Sequence, residues 1–270
     1  MSLKAAHLLP HSPLLIPEIG KANHSFFEKT TQAYQKVAEE LKQKEIEVLI
    51  ILSPHASSDK KSFQINVSPE MEINLKDFGF IPSKASFQGE AVIADKIKES
   101  LEADFPIFLS SEATMDYGSA IPSYLLKGLG LNPKIIIISP ASDLDKEEQL
   151  NFGLSLRRVI DNQDKKIAVL ASGDLSHRLE KKSPGGYSAK ANKFDNKIIE
   201  ILSEEEETTE EILNLDEKLT AETAECALSP IITLLGVLNK NQFNSDILAY
   251  QREFGIGYLS VSFKIKDLKI

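Results

Sequence analysis

Three of the five histidines in the sequence follow segments that are predicted to be β-strands. His11, His55 and His177 each lie a few residues beyond the end of such a segment. In open α/β sheets, ligands bind beyond the carboxyl ends of the strands, where loops from distant parts of the chain meet. We therefore expect these three side chains to converge at one edge of a sheet. The predicted strands are Lys4–Leu9, Ile46–Leu52 and Lys166–Ala171.

The sequence around His11 and His55 favours a metal-binding role for both residues. His11 directly follows Pro10, with Pro13 two residues further on, and His55 directly follows Pro54. Prolines stiffen a loop, so a side chain held there loses less entropy when it binds a metal ion. The alternative is that either histidine lies on the surface or caps a helix, and the spacing alone leaves both roles open.

Glu225 and Cys226 are further candidates for a metal site. An acidic residue at the start of a helix usually interacts with the helix dipole, and Glu225 has that position in the predicted structure. Together with two histidines it would complete a 2-His-1-carboxylate set, which leaves open positions on Fe(II). The same set also suits Zn(II) with an activated water. Cys226 is most simply a small buried apolar residue, but it is also a candidate thiolate ligand or a neighbour of the metal.

His177 ends the segment Ser172–His177, which also contains Asp174. Histidine side chains exchange protons near neutral pH, so His177 is a candidate catalytic acid or base. Asp174 is placed to orient His177 or a metal-bound water, or it caps the following turn. His7, within a predicted strand, and His24, at a predicted helix start, are expected to be structural. The sequence contains no GxSxG, GxGxxG, P-loop or HExxH motif.

Composition limits the function classes further. The chain has 270 residues, of which 42% are hydrophobic and 26% charged, as in ordinary globular proteins. The formal net charge of −9 disfavours a general attraction to nucleic acid or anionic membranes. A single cysteine excludes an intrachain disulfide and a zinc finger. We find no signal-like apolar segment at the start and no apolar run of membrane-spanning length, and therefore expect a cytoplasmic protein.

The elements that would position these residues alternate between strands and helices. Lys134–Ser139 is a short run rich in β-branched residues, typical of a parallel strand buried on both faces. The alternation predicts one α/β domain over residues 1–270, with a central, mainly parallel or mixed sheet flanked by helices. Phe63–Phe80 is turn-rich and predicts a hairpin insertion, whereas Ser245–Tyr250 and Gly257–Ile265 predict two closing strands. Helices are predicted at Asn23–Lys44, Gly89–Leu101, Gly118–Gly128, Lys146–Ile160, Ala191–Leu202 and Glu222–Asn239.

Five segments, in the same order along the chain, resemble those of a known family. The sequence is similar to the class III extradiol ring-cleavage dioxygenases of the LigB type. Within them it most resembles the dioxygenase-like domain of the AmmeMemoRadiSam system, which is related to the Memo proteins. The segments are LPHSPLLIPEIG (Leu9–Gly20), ILSPHA (Ile51–Ala56), ASGDLSH (Ala171–His177), AECALSPIITLLG (Ala224–Gly236) and FGIGY (Phe254–Tyr258).

The resemblance implies a non-haem Fe(II) site in a single α/β domain. By this likeness His11 and His55 match the two histidine ligands, Glu225 matches the carboxylate ligand, and His177 matches the acid/base histidine near the substrate. The implied partners are a catechol-type aromatic substrate and dioxygen, and homodimers are usual in such families. Zn(II) remains the alternative metal, with hydrolysis as the alternative reaction.

One position departs from the family pattern. The family commonly has Asp-His-Gly where this chain has Asp116-Tyr117-Gly118. A tyrosine hydroxyl donates a hydrogen bond, but it does not carry a proton near pH 7 as histidine does. The departure favours metal binding over ring cleavage, so a Memo-like metal-binding protein without dioxygenase activity is the second expectation. Tyr117, Asp174 and Cys226 are expected to contact the substrate or the metal ligands.

Overall fold

Short apolar runs form the centre of a large mixed sheet in the computed structural model, which describes residues 2–81, 85–204, 207–239 and 242–266. The strands are β1 Leu3–Leu9, β2 Val48–Leu52, β3 Phe63–Asn66, β4 Glu70–Ile73, β5 Ser86–Gln88, β6 Ile107–Ser110, β7 Thr114–Met115, β8 Lys134–Ser139, β9 Ile167–Ser172, β10 Phe243–Glu253 and β11 Ile256–Ile265.

Helices connect most of these strands. The α-helices are α1 Pro17–Gly20, α2 Glu28–Gln43, α3 Ala91–Leu101, α4 Tyr117–Gly128, α5 Lys146–Asp161, α6 Ala191–Ser203, α7 Thr208–Leu213, α8 Glu217–Thr220 and α9 Leu228–Val237. Within the described residues, 3₁₀ segments occur at Pro13–Leu15, Lys21–Phe27 and Lys76–Phe78. No helix in the described ranges is long and apolar enough to cross a membrane.

The main sheet has eight strands in the order β10-β11-β1-β9-β2-β8-β3-β6. Its four central strands, β1, β9, β2 and β8, are mutually parallel, and β11 and β3 flank them in antiparallel pairings. Strands of this kind are covered by helices on both faces, which explains their continuous apolar sequences. The predicted single α/β domain with a mixed central sheet flanked by helices is confirmed.

The core has two parts, one on each face of the main sheet. Successive side chains of a strand point to opposite faces, so Ile50 packs into one part and Ile51 into the other. Helices α3, α5, α6 and α9 cover the first face, and α2, α4 and a three-stranded sheet of β5, β4 and β7 cover the second. The parallel strands therefore end together at one rim between these layers.

Several elements differ from the sequence-based expectation. The segment Phe63–Phe80 does not form a separate hairpin: β3 joins the main sheet beside β8, and β4 belongs to the three-stranded sheet. The predicted helix Glu222–Asn239 begins only at Leu228. Ala224 has a positive φ of 54°, which is incompatible with a continuous helix through this position.

Candidate metal centre

His11 and His55 lie next to each other at the carboxyl edge of the parallel strands. His11 follows β1 and His55 follows β2, and β9 lies between these two strands. The ring centroids of the two histidines are 5.0 Å apart. Because neighbouring parallel strands end at the same rim, residues that are 44 positions apart in the sequence come into contact here.

A thiol completes the group of ligand atoms around these histidines. Candidate ligand atoms of His11, His55 and Cys226 all lie within 4.8 Å of one another. The Cys226 Sγ is 3.5 Å from Nε2 of His11. Imidazole nitrogen and cysteine sulfur are both common ligands of divalent transition metals, so three donors of suitable chemistry converge at one point.

The carboxylate of Glu225 has a different position from the one that the sequence suggested. Its Oε2 accepts a hydrogen bond of 2.7 Å from the backbone N–H of Leu228, the first residue of α9. This is the helix-start interaction that acidic side chains commonly make. Burial raises the pKa of Glu225 to about 7. The structure thus brings together two of the three expected ligands with Cys226, and the ligand role of Glu225 stays a prediction.

Hydrogen bonds orient the ring of His11 toward Cys226. The Ser172 hydroxyl donates to the carbonyl oxygen of Gly118 and lies 2.9 Å from Nδ1 of His11. Because the only hydroxyl hydrogen of Ser172 is used by Gly118, the Ser172 oxygen accepts from Nδ1–H. Nε2 of His11 then carries the free lone pair that a metal ion requires. Ser172 was not among the predicted site residues, although it stands in the same motif as Asp174.

Asp174 fixes the backbone of His11. Its Oδ1 accepts a hydrogen bond of 3.0 Å from the His11 N–H, and its Oδ2 lies 3.8 Å from Nε2 of the same residue. The Asp174 carbonyl oxygen also accepts the backbone N–H of Cys226 at 3.1 Å. Burial raises the pKa of Asp174 to about 6, opposed by the nearby His177. Asp174 therefore connects the strand end that bears His11 with the loop that bears Cys226.

Both histidines of the cluster are neutral near pH 7. Burial lowers the pKa of His11 to about 3, with a smaller contribution from the nearby His177. Burial also lowers the pKa of His55 to about 3, with smaller contributions from His11, Lys60 and His177. Burial raises the pKa of the Cys226 thiol. A bound metal deprotonates a coordinating thiol, so metal binding would release a proton from Cys226.

Tyr117 covers the ring of His55. The two rings stack with centroids 4.3 Å apart, and the Tyr117 hydroxyl lies 2.8 Å from Nε2 of His55. Tyr117 is the first residue of α4, whose N-terminus is capped by Asp116. The carboxylate of Asp116 also accepts the Ser53 hydroxyl at 2.6 Å. These bonds place the tyrosine that departs from the family pattern directly against a candidate ligand.

His177 lies in a strand-like segment that pairs with β11. Leu175 N–H donates to the Gly257 carbonyl oxygen at 2.8 Å, and Gly257 N–H donates to the Ser176 carbonyl oxygen at 2.9 Å. His177 lies close enough for its charge to lower the pKa of His11, His55 and Asp174. Its Nδ1 is buried and has no hydrogen-bond partner among the described residues. The acid/base role of His177 stays a prediction.

The chain matches known proteins along most of its length. A family model described as the catalytic LigB subunit of aromatic ring-opening dioxygenase matches residues 5–260. Protein CA_C1420 of Clostridium acetobutylicum is 28% identical over 268 residues, which cover 96% of this chain and 57% of that protein. A crystal structure of the uncharacterized protein JW3007 from Escherichia coli K12 superposes with a TM-score of 0.67 at 18% identity, covering 96% of this chain and 98% of that one.

The chain therefore belongs to the LigB family of aromatic ring-opening dioxygenases. Likeness to the solved structure supports the fold alone, because the sequence identity is 18%. The chain spans little more than half of the curated relative, at 57% of its length.

Proposed function

We propose that this protein is a mononuclear metal-dependent dioxygenase that opens a catechol-type aromatic ring with dioxygen. The observation that carries the proposal is the meeting of His11, His55 and Cys226 ligand atoms within 4.8 Å in a LigB-family chain. Two neutral imidazoles and one thiol fit a divalent transition metal. Fe(II) is the metal that the family resemblance implies, and Zn(II) is the alternative metal for the same donors.

Three protein ligands leave further positions on the metal for a substrate. When bound, Fe(II) would supply the one-electron chemistry that allows a catechol to react with dioxygen. His177 would take a proton from a catechol hydroxyl and return it at a later step. Asp174 and Ser172 would hold His11 in the orientation described above, and Tyr117 would fix the plane of the His55 ring by stacking.

Glu225, the predicted carboxylate ligand, is the alternative to Cys226 as the third metal ligand. Its Oε2 accepts the backbone N–H of Leu228, and Glu225 is not among the described residues whose ligand atoms lie within 4.8 Å of one another. For this reason we favour Cys226 as the third ligand.

The test of the reaction is oxygen uptake by iron-loaded protein. Protein is loaded with Fe(II) without air, its iron content is measured, and oxygen consumption is followed with a panel of catechols. The proposal expects uptake with at least one catechol and a ring-opened product. His177→Ala should keep the iron and lose turnover. If iron is bound and no catechol causes uptake, the protein is not a ring-opening dioxygenase for this substrate class.

Cys226 also supports a second candidate function, a metal-binding protein without ring-opening activity. Thiolate ligands favour zinc and copper, whereas non-haem Fe(II) oxygenases typically hold iron with two histidines and one carboxylate. A zinc ion held by these residues could also activate a water for hydrolysis. Metal analysis of protein purified without added metal, combined with esterase and amidase screens, separates these cases. Bound zinc with hydrolysis, or bound zinc with neither reaction, would favour this candidate.

A further inference from the structure

Asp195, on α6, is a buried carboxylate that reaches the segment ending in His177. The residue is 0% exposed, and its Oδ1 accepts a hydrogen bond of 3.0 Å from the backbone N–H of Ser176. Its Oδ2 accepts the hydroxyl of Tyr250, in β10, at 2.7 Å. A buried carboxylate is tolerated where donors of this kind satisfy its oxygens, so these two bonds determine where the Asp195 side chain lies.

Gly257, in β11, leaves the space that the Asp195 carboxylate occupies. A Cβ at this position would lie 2.0 Å from Oδ2 of Asp195. Gly257 also pairs with the segment that Asp195 contacts, because its N–H donates to the Ser176 carbonyl oxygen at 2.9 Å. The carboxylate is therefore packed between the backbone of Ser176 and the hairpin of β10 and β11, and a side chain at position 257 would displace it.

The backbone of His177 is fixed by bonds next to those of Asp195. Its N–H donates to the Thr223 carbonyl oxygen at 2.9 Å, and its own carbonyl oxygen accepts the Gly185 N–H at 3.1 Å. The Thr223 carbonyl oxygen also accepts the Ser176 hydroxyl at 3.1 Å. Thr223 lies in the loop before α9, which carries the candidate third ligand. Ser176 thus connects Asp195 both to His177 and to that loop.

We propose that Asp195 is a positioning residue, which holds the backbone of Ser176 so that the His177 ring faces a substrate at the metal centre. This inference rests on the proposed function, because it assumes that His177 exchanges a proton with that substrate. Asp195 touches neither the metal nor the substrate and acts through its hydrogen bond to Ser176. A group that transfers a proton must be held within about 0.5 Å of the productive geometry, and an error of about 1 Å costs up to roughly a hundredfold in rate.

Two substitutions test whether the hydrogen bond to Ser176 is what matters. Asp195→Ala removes the acceptor, whereas Asp195→Asn has nearly the same shape and keeps an acceptor oxygen without the charge. Rates are measured on iron-loaded protein with catechol or 4-methylcatechol, whichever gives the faster oxygen uptake. We expect Asp195→Ala to lower kcat by roughly 10- to 100-fold, with KM and iron content within about twofold of the wild type. Asp195→Asn should restore kcat to within about threefold of the wild type.

Asn192→Ala is the matched control on the same helix. The Asn192 side chain accepts a hydrogen bond from Arg252, so this variant also removes a contact between α6 and β10, but that contact goes to Arg252 instead of Ser176. Its kcat should equal that of the wild type.

The reactivity of His177 with diethyl pyrocarbonate gives a readout that needs no turnover. The reagent acylates neutral imidazoles, and mass spectrometry of peptides reports the rate at each histidine of the purified protein. We expect Asp195→Ala to raise the rate at His177 by roughly tenfold, because a segment that has lost an anchoring bond opens more often. The rate at His24, which lines a cavity between α2 and α4, should stay unchanged.

The possible results separate the role of Asp195 from the proposed function. Wild-type kcat or wild-type His177 reactivity in Asp195→Ala would overturn the positioning role alone, as would an Asp195→Asn variant as impaired as Asp195→Ala. Loss of iron, or faster acylation of every histidine, would show a general structural role instead. If Asp195→Ala fails to fold, Tyr250→Phe takes its place and should change both readouts in the same direction. If the iron-loaded wild type takes up no oxygen with any catechol, the proposed function is overturned and this inference with it.

Discussion

The Sγ of Cys226 lies 3.5 Å from Nε2 of His11, although 215 positions separate the two residues in the sequence. The contact joins the end of β1 to the loop before α9. It places a sulfur donor where the family resemblance predicts a carboxylate donor. The identity of this third ligand therefore decides which metals the site prefers.

Removal of the thiol should affect metal binding much more than removal of the carboxylate charge. We expect Cys226→Ala to lower zinc affinity by at least about a hundredfold, because one of three ligands is lost. Glu225→Gln is the matched variant one position away, and its amide oxygen can still accept the Leu228 N–H. Its zinc affinity should equal that of the wild type in a chelator competition. The reverse order of effects would identify Glu225 as the ligand.

Ser172 should support metal binding without touching the metal. Ser172→Ala leaves Nδ1–H of His11 and the carbonyl oxygen of Gly118 without their shared partner. We expect zinc affinity to fall by roughly 10- to 100-fold and stability to fall by about 1–3 kcal/mol. Ser123→Ala is a suitable control, since this buried hydroxyl donates to the Ser119 carbonyl oxygen within α4. Equal zinc affinity in both variants would show that Ser172 does not orient the ligand.

His7 should make the protein sensitive to acid. Burial lowers its pKa to about 4, and the nearby Lys44 adds to this while Glu40 opposes it. In the unfolded chain a histidine has a pKa near 6.5. Between pH 6.5 and pH 4 the unfolded state therefore binds a proton that the folded state does not. Folding stability should decrease as the pH falls through this window, by roughly 3 kcal/mol at its lower end.

The variant His7→Phe isolates this contribution. Neither ring nitrogen of His7 has a hydrogen-bond partner among the described residues, and Nε2 is 3.8 Å from the Glu40 carboxylate. An apolar ring should therefore fit with little loss at pH 7. Urea unfolding at pH 7 and pH 4.5 should show a smaller drop in stability for His7→Phe than for the wild type. Equal drops would mean that other groups cause the acid sensitivity.

Gly153 provides a test of the packing between α5 and α9, and Gly128 provides the control. A Cβ at Gly153 would lie 2.1 Å from the carbonyl oxygen of Thr233 and 2.9 Å from Cα of Gly236. Gly153→Ala must therefore separate the two helices, and we expect a loss of about 1–3 kcal/mol in urea unfolding. A Cβ at Gly128, at the end of α4, meets no atom within 4 Å. Gly128→Ala should be neutral or stabilise the protein by up to about 1 kcal/mol.

The central strands could be predicted because burial on both faces of a sheet requires an apolar residue at every position of the strand. Strands buried on both faces consist of uninterrupted β-branched and aliphatic residues, and Lys134–Ser139 was predicted with the bounds that the structure has. The proximity of His11 and His55 follows from the same reasoning, since both follow parallel strands. The position of β3 in the main sheet could not be predicted, because its pairing with β8 depends on contacts distant in the sequence.

The sequence could not distinguish Glu225 from Cys226 as the third ligand, because the choice depends on the local direction of the backbone. Glu225 and Cys226 are adjacent, so the direction of the backbone decides which side chain faces the histidines. The positive φ of Ala224 and the start of α9 at Leu228 direct the carboxylate to the helix and the thiol to the cluster. The sequence pattern predicted a helix through this turn.

X-ray absorption spectroscopy of the zinc-loaded protein tests the central claim most directly. Ligation by His11, His55 and Cys226 predicts one sulfur neighbour at about 2.3 Å and nitrogen neighbours at about 2.0–2.1 Å from the zinc. The sulfur signal should disappear in Cys226→Ala and persist in Glu225→Gln. A shell of nitrogen and oxygen atoms alone in the wild type, unchanged in Cys226→Ala, would contradict the assignment of Cys226 as a ligand.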